Sequence, residues 1–218
     1  MHSQPCKTRQ NYPVNYETYQ QLFDEILDKG HRPYPYNNEA YLNYTKLNRP
    51  RMKRWDKQLI LDEQLAVKLK ALKTSQHWII ITEPWCGDAA HSIPFLIRMA
   101  EQNNLITYDI QLRDSEPFLI ESYLTNGTKS IPKLIARDSN GNDLFTWGPR
   151  PKPAQELRTT LMTSNTDLET TKIALQHWYN EDKGESLHHE LTTLLSETLS
   201  SKPGTATPNP ERRQINLI

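Results

Sequence analysis

The sequence predicts an α/β fold with a mixed central sheet and helices at both chain ends. Three observations support this prediction. Residues 77–162 show in order the patterns of a strand, helix, strand, helix, hairpin and closing helix. Amphipathic helical patterns stand before and after that stretch. The 218-residue chain is only 36% hydrophobic, so polar helices or tails are expected beside one core.

The N-terminal part begins with a polar arm over residues 1–14. A helix is predicted next, with Gly30 as its stop signal, from apolar residues at helical spacing: Leu22, Phe23, Ile26 and Leu27. Residues 31–38 contain two prolines and two asparagines, which is typical of a loop.

Two helices are predicted between this loop and the first strand. The first spans residues 39–47 and ends before Pro50, and the second spans residues 56–72. A basic cluster lies between them, and a solvated helix end is the expected interpretation of it: Arg49, Arg51, Lys53 and Arg54.

The central stretch opens with the apolar run at residues 77–82, which has the character of a buried strand. Pro84 ends that strand, and a helical pattern follows over residues 87–103. Alternating residues predict a second strand at 105–112, and Ser115 begins a predicted helix over 115–124.

The second half of the sheet is predicted from a hairpin. Strands at residues 133–137 and 143–147 flank an Asn140-Gly141 turn signal, and a helix closes the unit at 153–162. Added helices at 168–179 and 187–199 precede a tail that is disordered by composition. The predicted units are an N-terminal extension at 1–57, the α/β domain at 58–163, a helical extension at 164–200 and the tail at 201–218.

Composition excludes several classes of function. Lysines and arginines number 26, as do aspartates and glutamates, so bulk charge does not favour nucleic acid as a partner. The N-terminus lacks the apolar run of a secretory signal, and the densest apolar run is too short to span a membrane. Two cysteines 80 positions apart do not form a disulfide framework, so a cytoplasmic location is expected.

Cys86 is the residue whose position suggests chemistry. It stands where a buried strand ends and a helix begins, and a helix N-terminus stabilises a thiolate. This position therefore predicts a reactive cysteine, against the alternative of a buried inert one. Only one cysteine lies there, so no zinc-type ligand set is present and no metal is expected.

These residues resemble the active site of the thioredoxin superfamily over about residues 58–162. The likeness begins with Trp85-Cys86-Gly87 after the strand. Three further positions follow in the family's order: Pro94 in the helix, Ser130-Ile131-Pro132, and Gly148 after the hairpin. A subgroup with Trp-Cys-Gly-Asp is the most similar, and it shares Trp147-Gly148-Pro149-Arg150-Pro151 and the C-terminal helix that contains residues 178–184.

The resemblance implies a thioredoxin-like sandwich and a substrate groove around Cys86. Pro132 would stand in the family's cis-proline loop and leave the backbone of Ile131 free to pair with a substrate. Arg150 would enter the groove and lower the pKa of Cys86 or hold a glutathione carboxylate. Trp85 and Trp147 would form an aromatic wall, with Gly87, Asp88 and Gly148 completing the groove.

Departures from the family affect the mechanism most. Ala89 stands where thioredoxins have their second cysteine, and Ile80 stands where they have a buried acid. Asp88 replaces a proline and opposes a neighbouring thiolate by its like charge, although it favours a helix N-terminus. Cys6 is a distant candidate for a resolving thiol, and a free surface thiol is the expected interpretation of it.

Three functions remain open from the sequence. The leading one is monothiol exchange, in which Cys86 attacks a disulfide and an external thiol such as glutathione resolves the product. The first alternative is a binding module that has lost redox cycling. The second is glutathione-linked iron–sulfur carriage, although its usual Cys-Gly-Phe-Ser motif is absent. The expected partners are disulfide-containing or thiol proteins, or glutathione, with no membrane and no nucleic acid; the oligomeric state is unassigned.

Overall fold

Four strands form one mixed sheet in the residues that the computed structural model describes, which are 15–28, 32 and 34–200. The strands are β1 Gln76–Thr82, β2 Ile106–Leu112, β3 Lys133–Arg137 and β4 Asp143–Trp147. Their order across the sheet is β2-β1-β3-β4. The β1–β2 pair is parallel, and the other two pairs are antiparallel. This sheet confirms the predicted α/β fold.

Seven α-helices surround the sheet within the described residues. They are α1 Tyr16–Asp28, α2 Glu39–Gln58, α3 Glu63–Ala71, α4 Gly87–Ala100, α5 Lys152–Thr163, α6 Leu168–Asp182 and α7 Glu185–Ser200. Helix α4 makes the crossover that a parallel β1–β2 pair requires. Helices before β1 and after α5 confirm the predicted extensions at both ends.

The core lies where α4 packs on the sheet and α2 packs on α4. Ile80 of β1 and Ile93 and Leu96 of α4 are fully buried. Burial of both faces explains why β1 is a continuous apolar run rather than an alternating one. The same packing holds the start of α4 against the sheet, and Cys86 is the N-cap residue at that end.

Helix α2 corrects the prediction that a helix ends before Pro50. Pro50 lies inside a 20-residue helix that continues to Gln58. Proline removes one backbone hydrogen bond, but tertiary packing outweighs that cost. Met52 and Trp55 are buried beyond the proline, and Arg49 is 7% exposed and bonded to Asp24. The basic cluster is therefore not the solvated helix end that we expected.

The segment after β2 corrects a second prediction. Instead of a helix over 115–124, the chain has only a 3₁₀ turn at Leu119–Ser122. Pro117 disfavours helical geometry in the residue before it, and Phe118 has φ 54, in the left-handed region. A continuous right-handed helix cannot include that backbone conformation.

Some predictions concern residues that the structure does not describe. The arm at residues 1–14, Cys6, the Gly30 stop signal and the tail at 201–218 lie outside the described residues. The division into four units remains a prediction. Within the described residues, no helix has the length and apolar character to cross a membrane.

Candidate functional site

Cys86 stands at the junction between β1 and α4. Strand β1 ends at Thr82, a short turn follows, and Cys86 is the N-cap residue of α4. Its amide donates to the carbonyl of Glu83, and its carbonyl accepts the amide of Ala90. The thiol is therefore held at the helix N-terminus, as the sequence predicted from the change of pattern at Pro84.

The loop before β3 lies against this thiol. Cys86 Sγ donates a hydrogen bond to the carbonyl oxygen of Ile131 at 3.3 Å. The Ile131–Pro132 peptide bond is cis. Antiparallel pairing of β1 with β3 sets Ile81 beside Lys133, so the preceding loop meets the end of β1. Residues 45 positions apart in the chain are thus in direct contact at the site.

The environment of the thiol opposes its ionisation. Burial, joined by the charge of Asp88, raises the pKa of the Cys86 thiol to about 12. The amides of Ala89 and Asp88 and the charge of Arg150 lower this pKa, but they do not offset burial. Cys86 is 7% exposed. The helix N-terminus that predicted a thiolate is outweighed by desolvation, because a charge loses more by burial than the helix returns.

Asp88 and Arg150 form a hydrogen-bonded ion pair next to the thiol. Arg150 Nη2 lies 2.6 Å from Asp88 Oδ2, and Nε lies 3.2 Å from Oδ1. The hydroxyl of Tyr179 donates to Asp88 Oδ1 at 2.8 Å. Arg150 was predicted to serve the thiol or a ligand carboxylate, but its guanidinium is occupied by Asp88 in this structure.

No second thiol stands beside Cys86 among the described residues. Ala89, at the position of the family's second cysteine, is 1% exposed. Cys86 is a free cysteine. Ile80 is fully buried, where the family has an acid. An intramotif disulfide is therefore chemically excluded at this site.

A groove of about 590 Å³ opens over Cys86. Six of the nine predicted site residues line it: Trp85, Cys86, Gly87, Asp88, Ile131 and Arg150. Its other walls come from the extension helices, with residues such as Tyr44 and Arg51 of α2 and Leu168 and Tyr179 of α6. No pattern in the sequence indicated that these two helices meet at the site.

Pro132, Trp147 and Gly148 are not among the residues that line the groove. Trp147 is buried, and its indole Nε1 donates to Glu190 of α7 at 2.7 Å, so it does not form the expected wall beside Trp85. Gly148 has φ +113, and a Cβ there would lie 2.2 Å from the carbonyl oxygen of Pro132. Gly148 therefore supports the cis-proline loop through close backbone packing.

The His91 side chain connects α4 to both α2 and α6 through hydrogen bonds. Trp55 Nε1 donates to His91 Nδ1 at 2.9 Å, so the ring proton is on Nε2, which bonds Gln176 Oε1 at 3.0 Å. The His91 ring stacks on Tyr179 with centroids 4.4 Å apart. Burial lowers the pKa of His91 to about 4, which keeps the ring neutral. No role for His91 was predictable from the sequence, because spacing alone does not reveal such contacts.

Arg51 lines the groove, although the sequence predicted that its basic cluster would be a solvated helix end. Its Nη1 donates to Asn48 Oδ1 at 3.0 Å, and the same nitrogen lies 4.0 Å from a Cβ built on Gly87. Arg51 thus reaches the first turn of α4. The basic cluster was the only available signal for this residue, and it does not show which member faces the groove.

The family model described as Thioredoxin matches residues 35–164. No curated protein matches the chain. A Pseudomonas aeruginosa protein of unknown function is similar to it in structure, with 15% identity, TM-score 0.48, and coverage of 84% of this chain and 98% of the other. The alkylhydroperoxide reductase AhpF from Enterococcus faecalis is similar over 48% of this chain and 49% of its own, with 20% identity and TM-score 0.35.

Proposed function

The chain belongs to the thioredoxin family, and we propose that it is a binding module of that family, which holds a partner in the groove without using Cys86 as a nucleophile. The observation that carries this proposal is the thiol itself, which is buried, hydrogen-bonded and has a pKa near 12. We also place the chain in the single-cysteine subgroup with Trp85-Cys86-Gly87-Asp88. A cytoplasmic location is part of the same proposal.

Thiol–disulfide exchange requires a thiolate, since the protonated sulfur is a poor nucleophile. At neutral pH a thiol with a pKa near 12 is almost entirely protonated. Asp88 adds a negative charge where an exchange protein benefits from a positive one, and Arg150 is paired with that carboxylate. Charge and burial around Cys86 therefore both favour an inert thiol.

Groove geometry supports binding. The groove is open, its floor contains Ser130 and Ile131, and helices α2 and α6 add apolar and charged side chains to its walls. The Asp88–Arg150–Tyr179 and His91–Gln176 contacts join α4 and the loop after β4 to α6. These bonds fix the groove in one shape before a partner arrives, which lowers the entropic cost of binding.

Monothiol exchange is the second candidate, and the position of Cys86 in the groove beside Ile131 favours it. In that reaction the Cys86 thiolate attacks a partner disulfide, one partner sulfur leaves as thiolate, and a mixed disulfide forms. Glutathione then attacks the partner sulfur of that mixed disulfide, which releases the Cys86 thiol and leaves the partner as a glutathione mixed disulfide.

A glutathione-coupled hydroxyethyl disulfide assay separates the two candidates. We expect the protein to show no turnover above that of its Cys86→Ser variant, both in a Cys6→Ser background. Turnover at least about tenfold above the Cys86→Ser variant would contradict the binding proposal and establish monothiol exchange, since only a reactive thiolate supports that rate. Circular dichroism of both proteins verifies that the substitution leaves the fold intact.

A further inference from the structure

The groove is positively charged although the chain has no net charge. Six of the residues that line it are lysine or arginine, and two are aspartate or glutamate. His91 adds no charge, because its ring is neutral at pH 7. Cationic side chains therefore outnumber anionic ones in the lining of this groove, which is the pattern expected of an anion-binding groove.

Four of the six cations already have carboxylate partners. Arg150 pairs with Asp88, Lys172 with Glu169, Lys129 with Glu121, and Arg113 with Asp114. The remaining two, Arg51 and Arg158, make no ion pair with any described residue. Their charges are therefore available to a ligand.

Arg51 is the more constrained of these two cations. It is half-buried between α2 and the start of α4, and it donates only to the neutral amide of Asn48 among the described residues. Burial and the neighbouring charge of Arg54 lower the pKa of Arg51. A partly desolvated guanidinium beside another cation is stabilised by a carboxylate, which accepts two parallel N–H bonds from it.

The rim of the groove is apolar. Leu47 of α2 and Leu168 and Ile173 of α6 all line it, with exposed fractions of 52%, 57% and 58%. These are among the large apolar side chains most exposed to solvent in the described residues. A cluster of exposed apolar residues at the edge of a groove is typical of an interaction surface.

We propose that the groove binds an acidic peptide segment of a partner protein, with carboxylates at Arg51 and Arg158 and apolar side chains on Leu47, Leu168 and Ile173. This inference rests on the proposed binding function and adds the chemistry of the partner. The positive charges of Arg51 and Arg158 favour an anionic ligand, and the apolar rim favours a peptide among the possible anions. A nucleic acid would leave the aliphatic rim residues without contacts, since it recognises basic and aromatic surfaces.

A phage-displayed library of random dodecapeptides tests this inference with the full-length protein. We expect the enriched peptides to be acidic and to carry leucine, isoleucine or phenylalanine. For the best synthetic peptide, Arg51→Gln and Arg158→Gln should each weaken binding by about tenfold, the loss expected for one charge-assisted contact. Lys70→Gln, on α3 and outside the groove, removes one positive charge as well, so it is the matched control and should leave the affinity unchanged.

Each other outcome contradicts a specific claim. Enriched peptides that are neutral or basic would overturn the acidic partner but leave the binding function standing. Absence of any enriched peptide that competes for the groove would overturn the binding function as well. Acidic peptides whose affinity is the same for the protein and for Arg51→Gln would place the site elsewhere. A single-stranded DNA dodecamer that binds as tightly as the best peptide would also overturn the inference.

Discussion

The floor and the walls of the groove differ in chemistry. Its floor is built from residues 85–88 at the start of α4 and from Ser130 and Ile131 before the cis Ile131–Pro132 bond. Its walls come from α2 and α6, which lie outside the central sheet. The floor contains a buried thiol whose pKa is raised, whereas the walls carry Arg51 and exposed apolar residues.

Under the proposed function, the fold retains the cysteine site while α2 and α6 supply the contacts to a partner. Burial and the negative charge of Asp88 oppose ionisation of the Cys86 thiol. The wall residues are partly exposed, so they can contact a partner. Floor substitutions should therefore change stability or thiol reactivity, and wall substitutions should change binding alone.

Gly148→Ala, next to the loop that carries Ile131, should be the most destabilising of these changes. The new Cβ would meet the Pro132 carbonyl at 2.2 Å, and alanine would have to adopt φ +113. We expect the free energy of unfolding to fall by about 4 kcal/mol, measured by urea denaturation. Gly141→Ala is the control, because it has φ +82 and no atom within 4 Å, and should cost about 1 kcal/mol. Equal losses would show that the Pro132 contact is unimportant.

Acid should loosen the contact between floor and walls through His91. Its pKa is lowered in the folded protein, so this contribution to stability is complete above the ordinary value of 6.5 and is lost as pH falls from there toward about 4. The loss should reach about 3 kcal/mol over that window. His91→Gln should remove this part of the pH dependence, measured as the difference between the two unfolding curves. Parallel curves for the two proteins would refute the assignment to His91.

Asp88→Asn should make the floor more reactive and less stable. Removing the carboxylate takes away a like charge and leaves Arg150 unpaired near the sulfur, so the pKa of Cys86 should fall. Loss of the largely buried ion pair should cost about 2 kcal/mol in unfolding free energy. Iodoacetamide alkylation against pH and urea denaturation measure the two effects. Tyr179→Phe, which keeps the carboxylate, is the matched control for the alkylation profile, and an Asp88→Asn profile identical to it would refute the role of the charge.

Leu168→Ser should have the smallest effect on stability and a clear effect at the walls. Leu168 is 57% exposed, so the unfolding free energy should change by less than about 0.5 kcal/mol. Affinity for the selected peptide should nevertheless fall severalfold, measured by fluorescence anisotropy. Leu199→Ser, at a 50% exposed residue of α7 outside the groove, should change neither quantity. Unchanged affinity in Leu168→Ser would show that the apolar rim takes no part in binding.

The floor was predictable from sequence because its signals are local. The apolar run of β1, the proline that ends it and the Asn140-Gly141 turn each report on neighbouring residues, and the order of elements was confirmed. Local signals failed at Pro50 and at residues 115–124. Packing against α4 outweighed the proline in the first case, and the left-handed Phe118 prevented a helix in the second.

The walls and the state of the thiol were not predictable, because both depend on contacts between distant residues. Arg54 reaches Asn180 across 126 positions, and Tyr179 reaches Asp88 across 91. Cys86 has the expected position at a helix N-terminus, but its ionisation depends on burial by surrounding elements. A sequence shows which residue can ionise at a helix N-terminus, whereas the desolvation that shifts its pKa depends on the whole fold.

The decisive experiment is the pH dependence of Cys86 alkylation by iodoacetamide, in a Cys6→Ser background. It tests whether the Cys86 thiol is chemically inert, as the binding-module proposal expects. We expect the rate to keep rising up to about pH 10 without a plateau, as a pKa near 12 requires. A plateau with an inflection below about 8.5, the value of a free cysteine, would show an activated thiolate and overturn the binding-module proposal.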